Sequence, residues 1–145
     1  MLFKFGMTDC KSISIPLDRN VKLHPNSGQA CDTTRFRQIV ESLIYLTITP
    51  SDLSYSVCLI SQYMSQPKAE HLQCVQRILR YVSSMKDRAL LYRTGIAEQL
   101  VGYTDADWAG NTGDRRSTSR FAFSLGSAAI TWISKKQPIV ALSNT

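Results

Sequence analysis

The chain has 145 residues, 43% of them hydrophobic and 19% charged, which is ordinary globular composition and enough to bury a core. Its net charge of +6 makes nucleic acid a reasonable partner. No stretch approaches the eighteen or so apolar residues of a membrane helix, and Met1-Leu2-Phe3-Lys4-Phe5-Gly6 carries no signal-peptide run. A soluble intracellular setting, cytoplasm or nucleus, is therefore expected. The charge is uneven: residues 1–95 hold 12 Lys/Arg against 7 Asp/Glu, and residues 96–145 hold 5 against 4. Cys10, Cys31, Cys58 and Cys74 are scattered without C-x-x-C spacing. Four reduced thiols are expected rather than zinc ligands or disulfides.

Residues 1–31 read as a connector, punctuated by Pro16, Pro25, Asn26, Ser27 and Gly28. Residues 32–88 read as three amphipathic helices. Phe36, Ile39, Val40, Leu43 and Ile44 follow helical spacing after the polar start Asp32-Thr33-Thr34. Thr49-Pro50-Ser51-Asp52 then has the order of a helix cap, ahead of a stripe of Leu53, Val57, Ile60 and Met64. Pro67 opens a third helix, with Leu72, Val75, Ile78, Leu79 and Val82 along its buried side. Short links favour antiparallel packing into a small bundle. Lys68, Arg77 and Arg80 lie off that buried stripe, either as a solvated face or as phosphate contacts. His71, without a partnering histidine or carboxylate pattern, reads as a surface or packing residue.

From residue 89 the period changes to two. Ala89–Tyr92 and Gln99–Thr104 are strand-like around a turn at Gly95, and Phe121, Phe123 and Leu125 alternate with Ala122 and Ser124. Gly126-Ser127 turns the chain into Ala129–Ile133. The expected class is α+β: a three-helix bundle followed by an antiparallel sheet.

Gly102-Tyr103-Thr104-Asp105-Ala106-Asp107-Trp108-Ala109-Gly110 reads as a strand that brings a carboxylate to its end. Metal-dependent phosphodiester chemistry gathers several carboxylates around two ions about 3.5–4 Å apart. Asp105 and Asp107 are a start, but Asp114 is the only acidic residue after them. An aspartate accepting backbone hydrogen bonds in a turn is the plainer alternative.

The blocks Phe5–Lys11, Ser42–Thr47, Asp52–Tyr55, Arg77–Val82, Leu90–Tyr92, Tyr103–Gly110, Arg115–Ser119 and Trp132–Gln137 together resemble the Pol polyprotein of copia-type long-terminal-repeat retrotransposons. They occur in family order and spacing across essentially the whole chain. The resemblance implies that residues 1–31 follow the reverse transcriptase palm. It makes 32–88 a helical thumb or connection region, and 89–145 the first, truncated part of a ribonuclease H-like domain. The polymerase's Tyr-x-Asp-Asp motif does not occur here, and the chain ends at Leu142-Ser143-Asn144-Thr145, before the family's next catalytic glutamate. By this resemblance Asp105 alone matches a catalytic, metal-binding position, a remnant that would hold Mg2+ or Mn2+ only in the intact parent. No tight metal binding and no catalysis are expected of the chain alone.

Departures from the family include Glu41 and Arg120 where glycine is usual, and Ser83-Ser84-Met85 for Lys-Gly-Thr. The resemblance also implies an RNA–DNA hybrid or duplex as a weak, non-specific partner. Lys68, Arg77, Arg80, Arg115 and Arg116 are the candidate phosphate contacts, with Lys86 and Arg88 beside them. A non-functional, degenerate transposon product that associates through an uncovered sheet surface at Phe121, Phe123 and Trp132 is the remaining alternative.

Overall fold

A computed structural model describes residues 1–18, 21, 23–24, 28–48, 51–87, 99–110 and 114–140. The expected cap residues Thr49 and Pro50, the strand Ala89–Tyr92 with its turn at Gly95, Arg88, and the terminal Leu142–Thr145 lie outside them. The chain divides into two compact units, Met1–Arg88 and Ala89–Thr145. The class is α+β, with three helices and one three-stranded antiparallel sheet among the described residues.

The first unit is built on α1 (Thr33–Leu46), α2 (Ser54–Ser61) and α3 (Ala69–Ser84). Asp32 caps α1: its Oδ1 accepts from the Arg35 backbone N–H at 3.0 Å, satisfying one of the otherwise orphaned donors of the first turn. A 3-10 turn, Ser51–Leu53, leads directly into α2. Phe36, Ile39, Val40 and Leu43 of α1 meet Val57 and Ile60 of α2 and Val75, Ile78 and Leu79 of α3 in one buried cluster, with Leu53 between. Leu72, Val82 and Met64 are partly buried against it. Ile44 is a correction to the periodicity reading. It is 43% exposed, because two more helices close only the narrower Phe36–Leu43 side of α1.

The segment expected to connect, residues 1–31, contributes to this core. Phe5 is buried, and Leu2, Met7, Ile13 and Leu23 pack against the cluster. Polar staples fix the rest. Arg37 Nε donates to the Met64 carbonyl at 2.8 Å, Tyr63 Oη to the Leu23 carbonyl at 3.0 Å, and Tyr81 Oη to the Asp52 carboxylate. The Ala69 N–H donates to the Gln29 carbonyl at 2.9 Å, which ties the early chain to the start of α3.

His71 is a packing residue. It is fully buried, its ring stacks on Tyr63 with centroids 4.0 Å apart, and its Nδ1 accepts from the Lys68 backbone N–H at 3.0 Å. That bond closes the first turn of α3 and requires an unprotonated Nδ1. Nε2 faces Glu70 Oε1 at 3.7 Å.

The second unit is a sheet in the order β1-β2-β3, with β1 Leu100–Ala106, β2 Thr118–Leu125 and β3 Ala128–Lys136. Leu125 pairs with Ala128 across the two-residue turn Gly126-Ser127. Gly126 has φ 56°, the left-handed value that the first position of such a hairpin demands. Its N–H donates to the Gln99 carbonyl at 2.9 Å, binding the hairpin tip to the entry of β1. A bulge between Phe123 and Ser124 leaves Ile130 of β3 without a partner across the strand pair. Gly102 makes room for an aromatic ring: a Cβ there would come within 2.5 Å of Phe123 Cε1.

Phe121 and Phe123, expected to form a buried face with Leu125, are half-buried, and Leu125 is 40% exposed. Among the described residues of this unit only Ser117 is buried. All four cysteines are free and half-buried. No helix among the described residues is long and apolar enough to cross a membrane.

Burial holds the His71 imidazole below its ordinary pKa of about 6.5. The unfolded chain then takes up a proton more readily than the folded one, so stability is present above that pH and falls as pH drops through it. The urea midpoint of the helical signal at 222 nm should decrease between about pH 7.5 and pH 5.5, and His71→Gln should flatten that decrease. An unchanged pH response in the variant would remove His71 as its cause.

Candidate functional site at the end of β1

Asp105 is the penultimate residue of β1 and pairs directly with Arg120 of β2. Arg120 pairs in turn with Ser134 of β3. Residues paired across an antiparallel ladder share a face, so Asp105, Arg120 and Ser134 lie on the same side as Tyr103, Ala122 and Trp132 one register step away. Arg120 Nη1 stands 2.9 Å from Asp105 Oδ2, and its Nη2 stands 3.7 Å from Asp107 Oδ2. One guanidinium therefore serves both carboxylates of the Tyr103–Gly110 block.

Asp107 has a second, structural task. Its Oδ1 accepts from the Thr118 backbone N–H at 2.7 Å, and its own N–H donates to the Thr118 carbonyl at 3.2 Å. The β1–β2 ladder is thereby continued one step past its last strand pair, Ala106 with Ser119. The chain then turns tightly. Ala109 takes a left-handed φ of 50°, and its N–H donates to Ser117 Oγ at 3.1 Å. Any side chain at Gly110 would collide with the Asp107 carboxylate, since a Cβ there would lie 2.7 Å from Cγ. The buried Ser117 is explained by this turn: its hydroxyl receives Ala109, and its carbonyl receives the Gln137 N–H at 2.8 Å.

A second charged group holds the loop ahead of β2. Lys136 Nζ lies 2.8 Å from Asp114 Oδ2, Arg116 Nε lies 3.7 Å from the same oxygen, and the Arg116 N–H donates to Asp114 Oδ1 at 3.2 Å. The hydrogen bond from Lys136 holds the Asp114 carboxyl below the usual carboxylate range. Arg115 is exposed with a left-handed φ of 57°.

The remaining candidates sit in the first unit. Lys68 is the N-cap of α3, and Arg77 and Arg80 lie within that helix. Arg77 is exposed, and Arg80 Nε donates to the Lys11 carbonyl at 2.8 Å. Nine residues at about 100° each place Lys68 roughly half a turn round the helix from Arg77. The three cations thus do not share one face, whereas Arg77 and Arg80 do. Arg120 and Ser117 were not legible as site residues. Arg120 enters only through the cross-strand register, and Ser117 only through the turn at Ala109.

A pair of Mg2+ or Mn2+ ions needs several oxygen ligands each. Among the described residues no group of three or more His, Cys, Asp or Glu gathers to hold a metal. One Asp107 oxygen is committed to the backbone, and the other faces a guanidinium that also holds Asp105. This donor set does not fit a two-ion centre.

Over its whole length the chain is 40% identical to the retrovirus-related Pol polyprotein from transposon RE2 of Arabidopsis thaliana, and 35% identical to that from transposon TNT 1-94 of Nicotiana tabacum. The chain belongs to the retrovirus-related Pol polyprotein family of transposons, as the copia-type resemblance implied. It spans only 10–11% of those polyproteins. A shorter relative, secreted RxLR effector protein 161 of Plasmopara viticola, is 43% identical across 73% of this chain and 75% of its own. No family model matches the sequence, and no solved structure matches it.

The two aspartates should separate on substitution. Asp107→Ala leaves the Thr118 N–H without its acceptor and should cost about 1–3 kcal/mol. Asp105→Ala removes one oxygen pair from an exposed strand and should cost under about 1 kcal/mol. Both tryptophans, Trp108 and Trp132, lie in the sheet unit, so urea unfolding followed by their fluorescence reads this difference. The reverse ranking would contradict the turn-anchoring role of Asp107.

Proposed function

We propose that this chain is the part of a transposon Pol polyprotein that runs from the helical thumb or connection region of the reverse transcriptase into the first strands of a ribonuclease H-like domain. In the intact parent this portion would serve RNA-directed DNA synthesis and cleavage of the RNA strand of an RNA–DNA hybrid. The observation that carries the reading is 40% identity over the whole of this chain to a tenth of each transposon polyprotein. A helical unit followed by an antiparallel sheet that presents Asp105 near the end of its first strand is the order this reading requires.

The isolated chain is a nucleic-acid-binding remnant rather than a nuclease. Catalysis by two divalent ions needs a ligand set that Asp105, paired to Arg120, does not provide. Backbone affinity needs only cations. Arg77 and Arg80, which share one face of α3, and separately Arg115 and Arg116 before β2 would meet the phosphates of a duplex or hybrid without reading sequence, with Lys68 on another side of α3. Divalent metal belongs to the parent enzyme, where further segments would add oxygens around Asp105.

Fluorescence anisotropy of labelled hybrid and duplex at two salt concentrations tests the binding arm. Weak binding that falls steeply with salt is expected, and Arg77→Ala with Arg115→Ala should reduce it for all sequences alike. A flat salt response would reject a phosphate-binding role. The catalytic arm is tested with a labelled hybrid in Mg2+ or Mn2+. No cleavage is expected, and a metal-dependent nick abolished by Asp105→Asn would overturn that part of the proposal.

A further inference from the structure

We infer that Arg120 is a resident counter-cation for Asp105 and Asp107, and that it makes this strand end selective against divalent metal ions. The geometry is specific. Asp105 and Arg120 are direct cross-strand partners, the pair is 2.9 Å apart, and the second terminal nitrogen of the same guanidinium lies 3.7 Å from Asp107. A planar guanidinium with two outward nitrogens is suited to two carboxylates that are themselves fixed in place. Asp107 is fixed by the Thr118 N–H and by the close approach of Gly110, and Asp105 by the ladder. Arg120 is likewise held by its strand, with its side chain only 37% exposed.

The consequence is electrostatic. A hard divalent ion seeking both carboxylates would have to come within a few ångströms of a permanent positive charge or displace it. Arginine cannot relieve that repulsion by losing a proton at any ordinary pH. Asp105 is 66% exposed, so the pair contributes little to stability. Its effect falls instead on which cation the carboxylates accept. The inference rests on the ion pair alone and stands whether or not the chain is the ribonuclease H portion of its polyprotein.

Titration of the full chain with Mn2+ alone at low ionic strength, followed by water-proton relaxation, tests it. Arg120→Ala should bind Mn2+ about tenfold more tightly than the wild type. Arg120→Lys keeps the charge and should remain near the wild type, and Asp105→Asn added to Arg120→Ala should abolish the gain. A folded Arg120→Ala whose Mn2+ affinity lies within about twofold of the wild type overturns the inference, as does a gain that survives Asp105→Asn. Tryptophan fluorescence reports whether the sheet is folded. If Arg120→Ala is not, Arg120→Gln carries the same expectation.

Discussion

Where apolar side chains can leave water decides most of what this molecule is. Three helices and the early chain close around Phe36, Leu43, Ile60, Ile78 and Leu79, which are essentially inaccessible. The sheet does not achieve this. Its aromatic residues Phe121 and Phe123 touch each other, with ring centroids 5.6 Å apart, and neither is fully covered. A three-stranded sheet normally needs one face buried to be independently stable. Here the backbone ladder, the Gly126 turn and the polar anchors at Asp107 and Ser117 carry a larger share of the work.

That difference shapes the chemistry available at β1. Carboxylates on an exposed strand are solvated, so their charges are screened and their pairings are individually weak. Such a site gains definition from geometry rather than from burial. The definition comes from β2: Arg120 is placed opposite Asp105 by register, and Thr118 is placed opposite Asp107 by the continuation of the ladder. The strand end is therefore an organised polar corner, with both aspartates already partnered within the chain.

The helical unit was largely legible in the sequence because helical periodicity is local. The polar start Asp32-Thr33-Thr34 supplies the cap of α1 through Asp32, and the Leu53–Val57–Ile60 stripe is buried as its spacing requires. Ile44 failed because a five-residue stripe does not reveal how many neighbours will cover it. The strands were legible by alternation, and the Gly126-Ser127 turn by its residues, while coverage of the sheet faces was not. Long-range polar contacts left no trace in the sequence. The Arg80 bond to the Lys11 carbonyl spans 69 positions, and the Tyr63–His71 stack depends on how α3 meets the loop before it. Asp105 stood out through its motif, whereas its partner Arg120 could be found only once β1 and β2 were paired.

The same segment lies within polyproteins about ten times its length and makes up most of a much shorter relative. Within the chain itself, a closed helical core is followed by a sheet whose described residues are nearly all half-buried or exposed. Amide hydrogen exchange on the full chain tests this contrast most directly. The account predicts strong protection for the α1 and α3 amides that surround the core, and much faster exchange across β1, β2 and β3. Sheet amides protected as strongly as those of α1 and α3 would contradict it.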